Sequence, residues 1–224
     1  MSVRGGRLPW ARLLGEALLI FASVYVAIVL EGVSAERGRQ DEAREALRQL
    51  RGELVLDRVE AEGVLDAQRQ IAIDYSDLVR WLGSPSTMPT DSFGVLLRRL
   101  GYSNPTAYPR KGAWTALSST GLLAAIEDPE LVVRVADHYE NLVARVEYNG
   151  NDYDELLNAT MIESVPAVWD PFRARPINDL TELRGRLDYL ATSWNRYYQE
   201  LMTMYVEGLD GLIVDVDAYL GSGS

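Results

Sequence analysis

The stretch Leu13 to Leu30, LLGEALLIFASVYVAIVL, constrains this chain more than any other. Its 18 residues hold one charge, Glu16, with Trp10 and Arg12 before them and Glu31 after. At about 1.5 Å per residue such a helix covers roughly 27 Å, close to the bilayer hydrocarbon thickness of about 30 Å. The expectation is a single transmembrane helix at 13–30, an uncleaved signal-anchor behind a short basic arm at 1–12. A cleavable signal peptide is the rival reading. Arg4, Arg7 and Arg12 form a basic n-region, and Val33-Ser34-Ala35 has the small residues of a cleavage site. The apolar run, however, exceeds the usual h-region of about 7–15 residues. A buried core helix would need more apolar enclosure than the later segments supply.

Basic residues flank both ends, with Arg37, Arg39, Arg44 and Arg48 on the far side of the run. A short basic arm ahead of a first span stays in the cytoplasm. The expected arrangement is therefore an inner-membrane, single-pass chain with its N-terminus inside and its large domain in the periplasm of a double-membraned bacterium. Glu16 falls in the first helical turn, where the positive end of the helix dipole favours a carboxylate near the headgroups. Glu16, Ser23 and Ala27 also share one helical face, and Ser23-x-x-x-Ala27 is a small-xxx-small pair that lets helices approach closely. These three are the candidate membrane packing face, to be met by a host complex or by an oligomer of the chain.

Charge bounds the rest. The first thirty residues hold three Arg and one Glu, net +2, which leaves −13 for the remainder against the chain's −11. A domain that acidic repels nucleic-acid phosphates and attracts, if anything, a basic soluble partner. The chain has no cysteine, which excludes disulfides, thiol nucleophiles and iron–sulfur clusters.

From Ser34 to Leu82 the sequence predicts one long helix. Leu47, Leu50, Leu54, Ala61, Val64, Ile71, Tyr75, Leu78 and Leu82 form a near-heptad stripe, and Gly32 and Gly38 mark a point where the helix can hinge. Ser84 to Pro89 breaks it, and Thr90 or Asp91 can cap a short helix to Leu100. A prolyl loop, Tyr102 to Gly112, precedes a helix predicted over 113–126. Asp128 and Pro129 read as the N-cap and first residue of the next helix, carried by Leu131, Val135, Tyr139, Leu142 and Val146 to about Tyr148. Asn149-Gly150-Asn151 reads as a break before a helix at 153–164. After an irregular link at 166–176, Asp179 and Glu182 fit a capping box. The last helix, 180–220, carries Leu183, Leu187, Leu190, Trp194, Tyr198, Leu201, Tyr205, Leu212, Val216 and Tyr219. Residues 221–224 read as a flexible tail. No run alternates at period two, so no sheet is expected. The fold class is all-α: the transmembrane helix, then at 31–220 an antiparallel bundle of long helices with a short-helix insertion between Pro85 and Ile126.

Within AWTALSSTGLLAAIEDPELVVRVADHY, 113–139, Trp114, Ser118, Ser119, Gly121, Leu122, Ile126 and Tyr139 make a pattern with the Gly15-Glu16 start of the span and the charged helix 36–51. In these residues the chain resembles a group of uncharacterised bacterial proteins, a domain-of-unknown-function family with one N-terminal span. His138 departs from it, standing where many members have a second aromatic. The resemblance implies membrane attachment and a helical domain, and no activity.

Chemistry is sparse. His138 is the sole histidine, and Val135 stands where a Glu-x-x-His bundle motif needs its glutamate. No G-x-S-x-G and no phosphate-binding glycine loop occurs. Asn151, Asp152, Asp154 and Glu155 lack EF-hand spacing, and Asp210, Asp215 and Asp217 have no metal-site pattern. No catalytic, cofactor or metal residue is expected. Tyr102, Tyr108, Trp169 and Phe172, in the prolyl loops, are hard to bury and form the candidate partner surface. The reading is a non-enzymatic accessory or scaffold subunit that docks on a larger integral membrane complex, respiratory or photosynthetic. The alternative is a membrane-anchored sensor or ligand-binding module.

Overall fold

The computed structural model describes residues 10–84, 90–102, 105–170, 175–176 and 178–222. Phe172 lies outside them, as do the side chains of Glu16, Tyr102 and Trp169. Helix α1 (Trp10–Gly83) is unbroken for 74 residues, about 110 Å at the helical rise. Gly32 and Gly38 make no hinge, because a lone glycine weakens a helix by about 1 kcal/mol and the propensity of its neighbours outweighs that. The described residues from Leu18 to Arg39 are all exposed, Phe21 by 77%. An 18-residue window of this bare stem has a hydropathy of 2.1 and no residue buried, so it is long and apolar enough to cross a membrane. Burial begins at Ala43.

Beyond the stem the chain builds four columns. The first is α1 itself, and all nine positions of its predicted stripe, Leu47 to Leu82, are buried. The second descends along it: α2 (Thr90–Tyr102), an extended stretch at 105–111, α3 (Gly112–Ser119) and a 3-10 turn (Leu122–Ala125). Contacts with α1 mark the descent. Arg99 Nε donates to Asp74 at 2.7 Å, Gln68 Nε2 to the Pro105 carbonyl at 2.7 Å, and Gln40 Nε2 to Glu127 at 2.9 Å. The short-helix insertion is thus a full column of the bundle. The helix predicted over 113–126 is split, because Gly121 takes a left-handed φ of 73° that ends α3.

The third column rises as α4 (Pro129–Asp137), α5 (Ala144–Ala159) and α6 (Val165–Val168), joined by π-helical turns at His138–Val143 and Thr160–Ser164. Asp128 caps it as expected, accepting from Leu131 N at 2.9 Å with Pro129 in the first turn. No break occurs at Asn149-Gly150-Asn151. Gly150 is buried there, and a Cβ on it would stand 3.3 Å from Tyr198 Oη, so the glycine serves close packing inside a helix. A two-residue antiparallel ladder, β1 (Trp169–Asp170) with β2 (Arg175–Pro176), is the one departure from helix and loop among the described residues.

The fourth column descends as α7 (Thr181–Tyr189), a π turn (Leu190–Trp194) and α8 (Asn195–Gly221). Asp179 accepts from Thr181 N at 3.0 Å and Thr181 Oγ1 at 2.8 Å, but the capping box does not close. Glu182 turns to Arg186 one helical turn on, at 3.1 Å, where an opposite charge outcompetes a backbone donor. The fold is all-α, with two apolar cores. The core nearer the stem holds Leu47, Leu54, Leu117, Leu131 and Leu209; the far core holds Tyr75, Phe93, Leu100, Leu157 and Leu187.

Gly150→Leu, which must displace Tyr198, is expected to lower stability in urea by about 1–3 kcal/mol. Gly185→Ala, facing open space in α7, is expected to raise it by up to about 1 kcal/mol.

Candidate functional site

Polar side chains interrupt the apolar interior at two levels. At the upper level, between the two cores, Asn195 donates from Nδ2 to the Gln68 carbonyl at 3.1 Å and to Gln68 Oε1. Gln199 Nε2 donates to Asn195 Oδ1 at 2.6 Å and to the Gln68 carbonyl at 3.2 Å. The Tyr153 and Tyr198 rings stack at 5.6 Å beside them, and Tyr198 Oη accepts from Ala107 N at 3.1 Å. Burial pushes the Tyr198 hydroxyl up to about 12. Together the bonds and the ring stack join all four columns, and a buried amide left without its partner costs about 1–3 kcal/mol.

At the lower level Asp57, 3% exposed, accepts from Arg110 N at 3.0 Å and Nη1 at 2.5 Å. Tyr205 Oη donates to it at 3.4 Å. Burial raises the Asp57 carboxyl above its ordinary range against the opposing pull of Arg110. Arg110 also reaches Glu60 at 3.0 Å, so the extended segment is clamped onto α1 by charge-assisted bonds. Next to this clamp the Trp114 and Tyr139 rings stack at 5.2 Å, nearly parallel, which brings the two ends of the 113–139 segment together.

His138 lies in the first π turn. Its ring stacks on Tyr205 at 5.7 Å and meets the edge of Tyr139 at 5.2 Å. Its Nε2 and the Tyr139 hydroxyl are buried without hydrogen-bond partners. Burial lowers the imidazole from 6.5 to about 4, although neighbouring Asp137 pulls the other way. The outer side of the ring lines an open groove of about 230 Å³ with Arg134, Asp137, Leu142, Glu207, Gly208 and Asp215. Gly208 allows this approach, since a Cβ there would come within 2.7 Å of Leu142 Cδ2. No local sequence pattern points to this groove, which forms where α8 crosses the π turn.

The residues named for a site do not converge. Ser23 and Ala27 are exposed on the stem, with the Ser23 hydroxyl bonded to the Ile20 carbonyl at 2.8 Å. Tyr108 is 58% exposed, and its hydroxyl donates to Asp154 at 3.0 Å. Glu16, Tyr102 and Trp169 are placed in α1, α2 and β1 by their backbone alone, and Phe172 falls outside the described residues. Asp210, Asp215 and Asp217 are not a cluster but three partners, of Arg58, Arg134 and Arg51 in turn. Among the described residues no three His, Asp or Glu are grouped to hold a metal ion.

His138 makes stability depend on pH. The unfolded chain binds its proton near 6.5 and the folded chain near 4, so stability is complete above that window and is lost as pH falls through it. At 1.36 kcal/mol per unit the loss is about 3 kcal/mol. His138→Phe keeps the ring stack and does not titrate. Urea unfolding at pH 7 and pH 4 is expected to show wild type losing about 3 kcal/mol more than the variant, the carboxylates being common to both.

Compared with known proteins, the chain matches no family model, no curated protein and no solved structure.

Proposed function

We propose that the chain is a non-enzymatic, single-pass accessory or scaffold protein. Its stem lies in the inner membrane and its acidic four-column domain stands in the periplasm against a larger integral membrane complex, respiratory or photosynthetic in kind. One observation carries this reading: α1 continues without a break from the bare apolar stem into the buried face of the domain. A contiguous apolar surface such as Leu18, Leu19, Ile20 and Phe21 has no stable place in water. The small-residue face at Ser23 and Ala27 supports contact with a second membrane helix. The net −13 beyond residue 30 favours a basic partner over nucleic acid.

The groove beside His138 favours a second reading, a membrane-anchored sensor or ligand-binding module. Thermal-shift screening separates the two, since a ligand that binds the folded state raises the melting temperature with its concentration.

Alkaline washing of membranes is expected to leave the chain in the pellet, and purification in mild detergent to bring other integral subunits with it. A chain released into the supernatant, or one that purifies as a lone monomer, would count against the accessory role.

A further inference from the structure

Two glycines one turn apart, Gly208 and Gly211, open the face of α8 that crosses the first π turn, and the groove of about 230 Å³ lies in that gap. Its floor is apolar, with Leu142 from the π turn and Leu212 from α8. Pockets for drug-sized ligands run to roughly 300–1,000 Å³. The occupant of this smaller groove is therefore a small molecule.

A buried polar ring is set into this floor. His138 is 6% exposed, and among the described residues neither of its ring nitrogens has a hydrogen-bond partner. Nδ1 faces Gly208, standing 3.7 Å from where a Cβ on that glycine would be. Nε2 lies on the buried side of the ring. Burial holds the imidazole uncharged at neutral pH, so the ring has an acceptor nitrogen as well as a donor. A buried polar group without a partner is costly, and an N–H donated to Nδ1 removes part of that cost.

Charge around the rim selects the kind of donor. The lining carries three carboxylates, Asp137, Glu207 and Asp215, and one guanidinium, Arg134, for a net −2. Arg134 is held by Asp215 at 2.7 Å, and Asp137 accepts from Asn141 at 2.5 Å. Glu207 is exposed and has no hydrogen-bond or ion-pair partner among the described residues. An anion entering the groove would be repelled by this excess of carboxylates, and a neutral molecule would leave Glu207 unanswered. A cation with N–H donors and a short apolar chain meets the carboxylate, the imidazole acceptor and the leucine floor together.

We propose that the groove between α4, the first π turn and α8 binds a small primary ammonium, its N–H groups donated to Glu207 and to His138 Nδ1 and its alkyl chain laid on Leu142 and Leu212. The assignment rests on the reading of the chain as a sensor or ligand-binding module, and gives that reading a site and a class of ligand.

His138 is the sole histidine, so protein carrying nitrogen-15 histidine has a single labelled imidazole. Propylammonium, titrated at pH 7 into the full-length chain in mild detergent, is expected to shift the Nδ1 resonance saturably. Propanol and propionate share its three-carbon chain without its positive charge, and are expected to leave the resonance in place at the same concentrations. Glu207→Gln is expected to weaken propylammonium binding about tenfold with no loss of thermal midpoint, since that side chain has no partner within the described fold. A resonance that propylammonium does not move overturns the ammonium site. So does a shift produced equally by propanol, or an affinity unchanged in Glu207→Gln. If another class of compound then raises the melting temperature in the thermal-shift screen, the module reading stands and the ammonium site alone falls. If no compound of any class raises it, both fall.

Discussion

Burial of one face of α1 is the constraint from which the other columns take their position. From Ala43 to Leu82 that face is covered by the second column on one flank and the fourth on the other, and the third column closes the centre. A fully buried leucine contributes about 1.5–3 kcal/mol, and the stripe supplies Leu47, Leu50, Leu54 and Leu78 at full burial. Removing the stripe would leave the descending second column, with its short α3 and extended 105–111, nothing to lie on. The same helix carries its opposite end bare of protein.

Apolar stripes alone do not set the vertical match between columns, because leucines one turn apart are nearly interchangeable. The polar levels do. Gln68 with Asn195, and Asp57 with Arg110, each tie a residue of α1 to a distant segment at a single height. A slip of one turn would leave buried donors and acceptors unpaired, which costs more than the slip could return in apolar contact. Asp210 and Asp217 repeat the match on the surface with Arg58 and Arg51, though exposed pairs of that kind contribute less than about 1 kcal/mol each.

The π turns show how a helix adapts without breaking. The wide turn at His138–Val143 shifts the buried line from Leu142 to Val143 and lets the third column keep its core face up to Tyr153 and Leu157. The same shift brings His138 inward, where its ring lies between two tyrosines and its charge is disfavoured.

Helical class, the stem, the stripes of α1 and α8 and the Asp128 cap were legible in the chain, since each depends on neighbours within a few positions. The mistaken breaks have one cause. Gly32, Gly38 and Gly150 were read by the weakness of glycine alone, whereas at Gly150 the deciding fact is Tyr198, distant in sequence and 3.3 Å from where a Cβ would stand. Glu182 was misread because its choice between a backbone donor and Arg186 depends on side-chain competition that local pattern does not weigh. By itself the sequence determined that the chain is helical, acidic beyond its apolar stem and free of cysteine chemistry, because composition and period act locally. Only the tertiary structure decided that the stem and first column are one helix, that the prolyl segment is a column, and that His138 meets Tyr205. Those outcomes turn on contacts between residues far apart in the chain.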